Sequence, residues 1–168
     1  MKRFLDIFLS SLALVALSPF LFVVSIILRF TGGGEIFYKQ ERVGRYGDNF
    51  YVLKFATMLK DSPKLGAGEI TLENDPRVLP FGNFLRKSKI NEFPQLWNII
   101  YGDMSIVGPR PMVPNTYYKY DVNDRIIISK VRPGLTGIGS IFFRNEERFL
   151  KEHKNPNKFY EQHIIPYK

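Results

Sequence analysis

The sequence predicts a small α+β domain carried on an apolar, membrane-seated segment at its N-terminus. Three observations point there. An uncharged run of 22 residues, Ile7 to Leu28, lies between Lys2-Arg3 and Arg29. Two short stretches rich in aromatic and β-branched residues follow, Glu35–Gln40 and Phe50–Phe55, separated by the hairpin-turn chemistry of Gly44-Arg45-Tyr46-Gly47-Asp48-Asn49. Beyond them lie short helical segments punctuated by Pro and Gly.

The apolar run is the first element. As a straight helix it would reach about 33 Å, enough to span a bilayer. It is too long for a cleaved signal peptide, and no small-residue cleavage site follows it. Two readings remain. One is a single spanning helix. The other is a re-entrant hairpin broken at Ser18-Pro19, where proline removes a donor and a neighbouring serine can satisfy the freed carbonyl. Each arm would be about 15–18 Å long, and the positive charges at both ends fit two ends on the cytoplasmic side. The residues alone leave both readings open.

Thr31-Gly32-Gly33-Gly34 is a hinge into the domain, and Lys60 to Gly68 reads as a mobile loop. Asp75-Pro76-Arg77 starts a turn and Phe81 to Lys87 forms a short basic helix. Pro94 suits the first turn of another helix, on which Leu96, Ile99 and Ile100 share a face and which Gly102 stops. Tyr117 to Lys130 and Asn145 to His153 are read as helices, with Asn155-Pro156-Asn157 as a break.

A chain of 168 residues suits one domain of ordinary size. The absence of cysteine excludes disulfides and thiolate metal sites, and the two histidines, His153 and His163, are too few for zinc. The net charge of +8 asks for an anionic partner; residues 1–30 carry +2 of it and the rest +6. Nucleic acid is not expected, because no recognition motif accompanies the charge. Walker-type and dinucleotide-binding loops are absent.

The densest chemistry lies in Ile90-Asn91-Glu92-Phe93-Pro94-Gln95-Leu96-Trp97-Asn98 and Gly102-Asp103-Met104-Ser105-Ile106-Val107-Gly108-Pro109-Arg110-Pro111. The span 90–111, 22 residues long, holds two carboxylates, an amide, a helix start and an arginine clamped between prolines. Asn91 and Glu92 fall at or just before a helix N-terminus, where free N–H groups favour phosphate. Singly, each residue has a plain structural reading: Asn91 an N-cap, Glu92 a first-turn acid, Arg110 a surface residue, Lys54 the solvated end of a strand.

The full set of motifs says more. Gln40-Glu41-Arg42-Val43-Gly44, Lys54-Phe55-Ala56-Thr57-Met58, Asp75-Pro76-Arg77 and Pro133-Gly134-Leu135-Thr136-Gly137 join the central segment in order. Together with the apolar run they cover nearly the whole chain and resemble the bacterial sugar transferases, the monotopic polyprenyl-phosphate phosphoglycosyl transferases. The resemblance implies an α+β fold in which a re-entrant membrane helix hairpin, residues 1–30, precedes a small cytosolic α/β domain of short strands and amphipathic helices, residues 31–168. It implies transfer of a sugar-1-phosphate from a UDP-sugar to undecaprenyl phosphate with release of UMP, initiating capsule, O-antigen or exopolysaccharide assembly. The expected setting is the cytoplasmic face of the bacterial inner membrane. Mg²⁺ is the implied cofactor, neutralising a diphosphate under attack, and a homodimer is left open.

Carried over by position, Glu92 is the second acid of the family's Asp-Glu pair, a catalytic residue and candidate magnesium ligand. Arg86, Arg110 and Lys54 match phosphate- or substrate-binding positions. Three departures stand out. Asn91 replaces the family's nucleophilic aspartate, Ala56 replaces an arginine, and the chain stops at Lys168 without the usual C-terminal extension. A carboxamide cannot attack phosphorus as a carboxylate does. Either the already ionised acceptor phosphate attacks directly, or Glu92 takes over; the alternative is a catalytically inactive membrane-bound partner or regulator of glycan assembly.

Overall fold

The structure is a computed structural model, which describes residues 1–31, 34–60, 62, 75–142 and 156–159. The expected helix Asn145–His153 and most of the 60–68 loop lie outside these residues.

Helix α1, Lys2–Phe30, is assigned without interruption over 29 residues and carries Pro19 inside it. Pro19 has no N–H for the carbonyl of Val15, and the Ser18 hydroxyl donates to that carbonyl instead, at 2.8 Å. Asp6, Ser10, Val24 and Leu28 are buried against the domain, while Phe4, Phe8, Leu12, Val15, Phe22 and Ile26 face outward.

Strands β1 (Phe37–Val43) and β2 (Asn49–Phe55) form an antiparallel hairpin with Phe37 opposite Phe55 and Val43 opposite Asn49. The first strand thus lies further along than Glu35–Gln40. Its end is drawn on by the Val43 amide, which donates to Met112 O at 2.9 Å. The turn holds Tyr46 at φ 63° and Gly47 at φ 86°, and the Arg45 guanidinium lies 4.4 Å above the Tyr46 ring.

Helix α2 (Pro80–Lys87) begins with proline, as a first helical turn permits. A short 3-10 turn, Ile90–Glu92, runs through Phe93 and Pro94 into α3 (Gln95–Tyr101). Pro94 therefore caps α3 rather than lying inside its first turn, and Gly102 ends it at φ 111°. Strand β3 (Ser105–Val107) pairs in parallel with β4 (Gly134–Thr136). Between them come α4 (Pro114–Tyr117) and α5 (Val122–Ser129), and α6 (Ile138–Phe142) follows β4. A final helical turn, Pro156–Phe159, starts at the proline expected to break the chain.

The single helix expected over Tyr117–Lys130 is corrected by the structure. Residues eight apart in one helix lie about 12 Å apart along its axis, yet the Tyr117 hydroxyl donates to Arg125 O at 3.3 Å. The Arg125 guanidinium also sits 5.6 Å from the Tyr118 ring. These contacts need the chain to fold back, and the extended backbone of Asp121 (ψ 153°) does so.

Two apolar clusters make the core, and α1 enters both. Val24 and Leu28 pack with Phe55 and Leu85. Ala13 and Leu14 pack against Val52, Leu96, Ile99 and Met104. Each fully buried aliphatic side chain contributes about 1.5–3 kcal/mol. Polar ties fix the N-terminal end: Asp6 accepts from Ser105 Oγ at 2.8 Å and from the Ile106 amide at 3.3 Å. Lys2 reaches Val107 O and Arg3 reaches Ile100 O, each at 3.0 Å. Asn98 joins α3 to the edge of β2, accepting from Leu53 N at 3.0 Å and donating to Tyr51 O at 2.8 Å.

The glycines of two sequence motifs meet where β3 and β4 pair. A Cβ on Gly134 would land on the Gly108 amide nitrogen, backbone that cannot rotate away. Gly134→Ala is therefore expected to cost about 3 kcal/mol or more through overpacking. A shift in the denaturation midpoint measures it, and an unchanged midpoint would contradict this packing.

Candidate functional site

The site gathers on the face of the β-hairpin that α3 and the β3–β4 pair leave open. Val52 and Lys54, two apart on β2, point to one side of the strand. Lys54 meets Glu92, the last residue of the 3-10 turn, with Nζ 3.8 Å from Oε1. Lys89 enters that turn in the left-handed region at φ 61°, a conformation uncommon for a side-chain-bearing residue. Arg42 of β1 donates to Pro111 O at 3.0 Å and also to the Gln40 side chain, bringing it beside Arg110. The resulting cleft, about 290 Å³ including its open mouth, is lined by Arg42, Lys54, Glu92, Gln95 and Arg110, with Val52 and Leu135 as apolar walls.

Of the residues read from sequence, Lys54, Glu92 and Arg110 come together in this cleft. Arg86 contributes to the positive field on Lys54, but its Nη1 lies beside Met58 Sδ and it is not a lining residue. Asn91 is buried at 7% exposure, and among the described residues its Oδ1 has no hydrogen-bond partner. Ala56 is also buried and brings no charge, so the cleft draws its cations from Lys54, Arg42 and Arg110. Asp75 and Arg77 form a buried bidentate pair, with Nη2 to Oδ2 at 2.6 Å, and Arg77 also holds Ser62 O at 2.9 Å. That motif supports the fold.

Two polar lining residues had no assigned role in the sequence reading, Arg42 and Gln95. Arg42 stood inside a quoted motif and two positions from Gln40 on a strand, which is the signal that could have found it. Gln95 follows Pro94 at the start of α3 and is buried at 3% exposure.

Burial drives the Lys54 ammonium down to about 7; Glu92 opposes the shift, while Arg42, Arg110 and Arg86 add to it. For Glu92, burial alone would push the carboxyl up, but Lys54, Arg110, Lys89 and Arg42 outweigh it and hold it below the usual range. Glu92 is thus ionised at neutral pH. Its charge stabilises the fold there, and that contribution is lost as pH falls through its lowered value. Lys54 has the other sign. An unfolded lysine keeps its proton well above pH 7, so this group makes the fold more stable as pH rises from about 7.

The same titration sets anion binding. Lys54 is cationic below about pH 7 and neutral above it in the free protein. Pyrophosphate affinity relative to that of Lys54→Arg, which stays charged, is expected to fall several-fold from pH 6 to pH 8. Calorimetric titration of both proteins measures this, and a constant ratio would refute it.

Chemically, the cleft offers one carboxylate among three cations, open to solvent and half-walled by apolar residues, which suits a phosphorylated substrate. Residues 1–165 match the model of a family described as "Bacterial sugar transferase". The exopolysaccharide production protein ExoY of Sinorhizobium fredii is 41% identical over 159 residues, covering 86% of this chain and 70% of that protein. The UDP-glucose:undecaprenyl-phosphate glucose-1-phosphate transferase of Xanthomonas campestris pv. campestris is 35% identical over 156 residues, 91% of this chain and 32% of its own. A protein of the same name from Escherichia coli is 36% identical over 143 residues, 84% of this chain and 31% of its own. The chain spans about a third of the length of these last two.

Proposed function

Since the chain belongs to the bacterial sugar transferase family, we propose that it transfers a sugar-1-phosphate from a UDP-sugar to undecaprenyl phosphate, releasing UMP. This step begins assembly of a surface glycan such as a capsule, O-antigen or exopolysaccharide. The observation that carries the reading is the Lys54–Glu92 pair set between Arg42 and Arg110. Cations converging on one cleft can hold a diphosphate and stabilise the charge that develops on it.

With a carboxamide at position 91, the acceptor phosphate is the nucleophile. It is a monoester, largely doubly charged at pH 7. Its oxygen attacks the sugar-bearing phosphorus, the bond to the bridging oxygen breaks, and UMP leaves with that oxygen and its electron pair. Arg42 and Arg110 bind the departing phosphate, and Lys54 offsets charge on the phosphorus under attack.

Magnesium fits the donor set. Glu92 would supply an ionised carboxylate at the cleft; Asn91, whose Oδ1 is buried, does not line it. Mg²⁺ commonly takes one or two such protein ligands and completes its shell with substrate phosphates and water. When bound, it would neutralise the diphosphate.

Residues 1–30 serve as the anchor. Lys2, Arg3 and Asp6 near one end of α1, Ala13 and Leu14 near its middle and Val24 and Leu28 near the other end all touch the same domain, while Val15, Pro19 and Phe20 are exposed around the Ser18-Pro19 step. This supports a re-entrant hairpin with both ends on the cytoplasmic face, and residues 31–168 as a cytosolic domain. The chain has no cysteine, so single cysteines at positions 2 and 34 test it. Both should react with an impermeant thiol reagent from the cytoplasmic side alone; labelling of position 2 from the opposite side would establish a spanning helix.

Turnover is tested with purified protein in nanodiscs with Mg²⁺ against a panel of UDP-sugars. UMP release that requires undecaprenyl phosphate is expected. No release with any donor, while a relative carrying aspartate at that position turns over, would favour an inactive partner of glycan assembly.

A further inference from the structure

Asp6 stands one residue before the uncharged run and is buried at 6% exposure, yet the chemistry of the cleft makes no use of it. A polar group buried on an apolar segment is costly unless it is hydrogen-bonded. Both of its oxygens are taken by β3: Oδ2 accepts from Ser105 Oγ at 2.8 Å and Oδ1 from the Ile106 amide at 3.3 Å. Among the described residues β3 pairs with no strand but β4. Helix α1 thus supplies the Ile106 amide with the acceptor that a second neighbouring strand would give. Lys2 and Arg3 reinforce the tie, with Nζ to Val107 O at 3.0 Å and Nη1 to Met104 O at 3.4 Å.

From β3 the chain runs straight into the arm that carries Arg110. Only Gly108 and Pro109 separate Val107 from that arginine. The arm is stiff. Gly108 N donates to Thr136 O at 3.0 Å, and Pro109 O accepts from Gly134 N at 2.8 Å. Pro109 and Pro111 each have a fixed φ, and the residue before each proline is confined as well. A displacement of β3 therefore passes on to Arg110 instead of being absorbed by loose dihedrals. At its far end the arm also meets a second cation of the cleft, since Pro111 O accepts from Arg42 Nη1 at 3.0 Å. Leu135, on the paired strand β4, walls the same cleft.

We propose that Asp6 is a positioning residue for phosphate binding: from α1 it holds β3 where the Gly108-Pro109 arm presents Arg110 to the cleft. This rests on the transferase reading for the nature of the ligand, and adds that the first turns of α1 belong to the architecture of the site. Asp6 itself touches no substrate. It acts through Ser105, Ile106 and the arm, so the seating of α1 on the domain sets how tightly a diphosphate is held.

The test is calorimetric binding of inorganic pyrophosphate to the full chain in nanodiscs, arranged as double-mutant cycles. Asp6→Ala is expected to weaken pyrophosphate about fivefold, an ordinary size for coupling through a packed element. Asp6→Asn should retain the wild-type affinity, because its amide oxygen can accept from Ile106 N–H and its NH2 can donate to the Ser105 hydroxyl. In an Arg110→Ala background Asp6→Ala should have little further effect, whereas beside Lys54→Ala it should keep its full size. Unaltered affinity in Asp6→Ala would overturn the proposal and leave the transferase reading intact. The same loss in both backgrounds would also overturn it, since Asp6 would then serve the fold as a whole. If Asp6→Ala does not fold, Ser105→Ala, which leaves the Ile106 bond in place, carries the same cycle with a loss of about threefold. Wild-type protein that fails to bind pyrophosphate would remove the transferase reading and this one with it.

Discussion

Glu92→Gln lowers UMP release by about a thousandfold, the scale on which a preorganised charge in a half-buried site contributes. The substitution keeps the shape of the side chain and removes only its charge. Lys54 then loses the partner that opposes its shift, moves below about 7 and sits neutral at pH 7 rather than remaining as an orphan buried cation. The fold should therefore persist, with an unchanged far-ultraviolet circular dichroism spectrum. Rate and spectrum together separate chemistry from packing. A variant that kept the wild-type rate would show that Glu92 only completes an ion pair, and the transferase reading would lose its central residue.

Asn91→Asp should change the kind of reaction. A carboxylate at this position can attack the sugar-bearing phosphorus, form an acyl phosphosugar and expel UMP without any acceptor. The variant is expected to release about one equivalent of UMP per protein in the absence of undecaprenyl phosphate, where the wild type releases none. An added mass equal to the sugar phosphate would be carried by the peptide containing position 91. A wild-type burst of the same size would instead identify Glu92 as a nucleophile and overturn direct transfer. Burial raises the pKa of a new aspartate, so the burst is expected to grow with pH.

The parts of the fold legible in the sequence are those written in neighbouring residues. The β-hairpin was readable because aromatic and β-branched residues flank a Gly-rich turn, and α3 because Gly102 stops it. The β3–β4 pair was not readable, since nothing local in three-residue strands states that Ser105 lies beside Gly134. The glycines of the two motifs gave the hint, but a close approach between distant backbones has no periodicity to detect. The break between α4 and α5 was hidden for a related reason: Tyr117, Tyr118 and Arg125 have spacings compatible with one helix, and only their mutual contact forbids it.

In the site, Lys54, Glu92 and Arg110 were legible as members of ordered motifs. Arg42 was not given a role because it falls past the expected strand Glu35–Gln40, and only the placement of Pro111 O against it brings it to the site. Asp75 and Arg77 were read as the start of a turn within a motif, and their buried mutual pair gives that motif a structural part. Asn91 was legible as a departure, and its missing hydrogen bond became visible only with the surrounding backbone in place.

Helix α1 carries two kinds of position. Its outward positions, such as Phe8, Leu12 and Phe22, pack on nothing in the domain, meet lipid in the anchor reading proposed above, and could exchange for other apolar residues. Asp6, Ala13, Val24 and Leu28 are fitted to particular partners in the domain. Grafting an unrelated hydrophobic helix in its place would preserve membrane attachment yet leave Phe55 and Leu85 without their cover. The tether is thus inherited with the enzyme it carries, and drift in one constrains drift in the other.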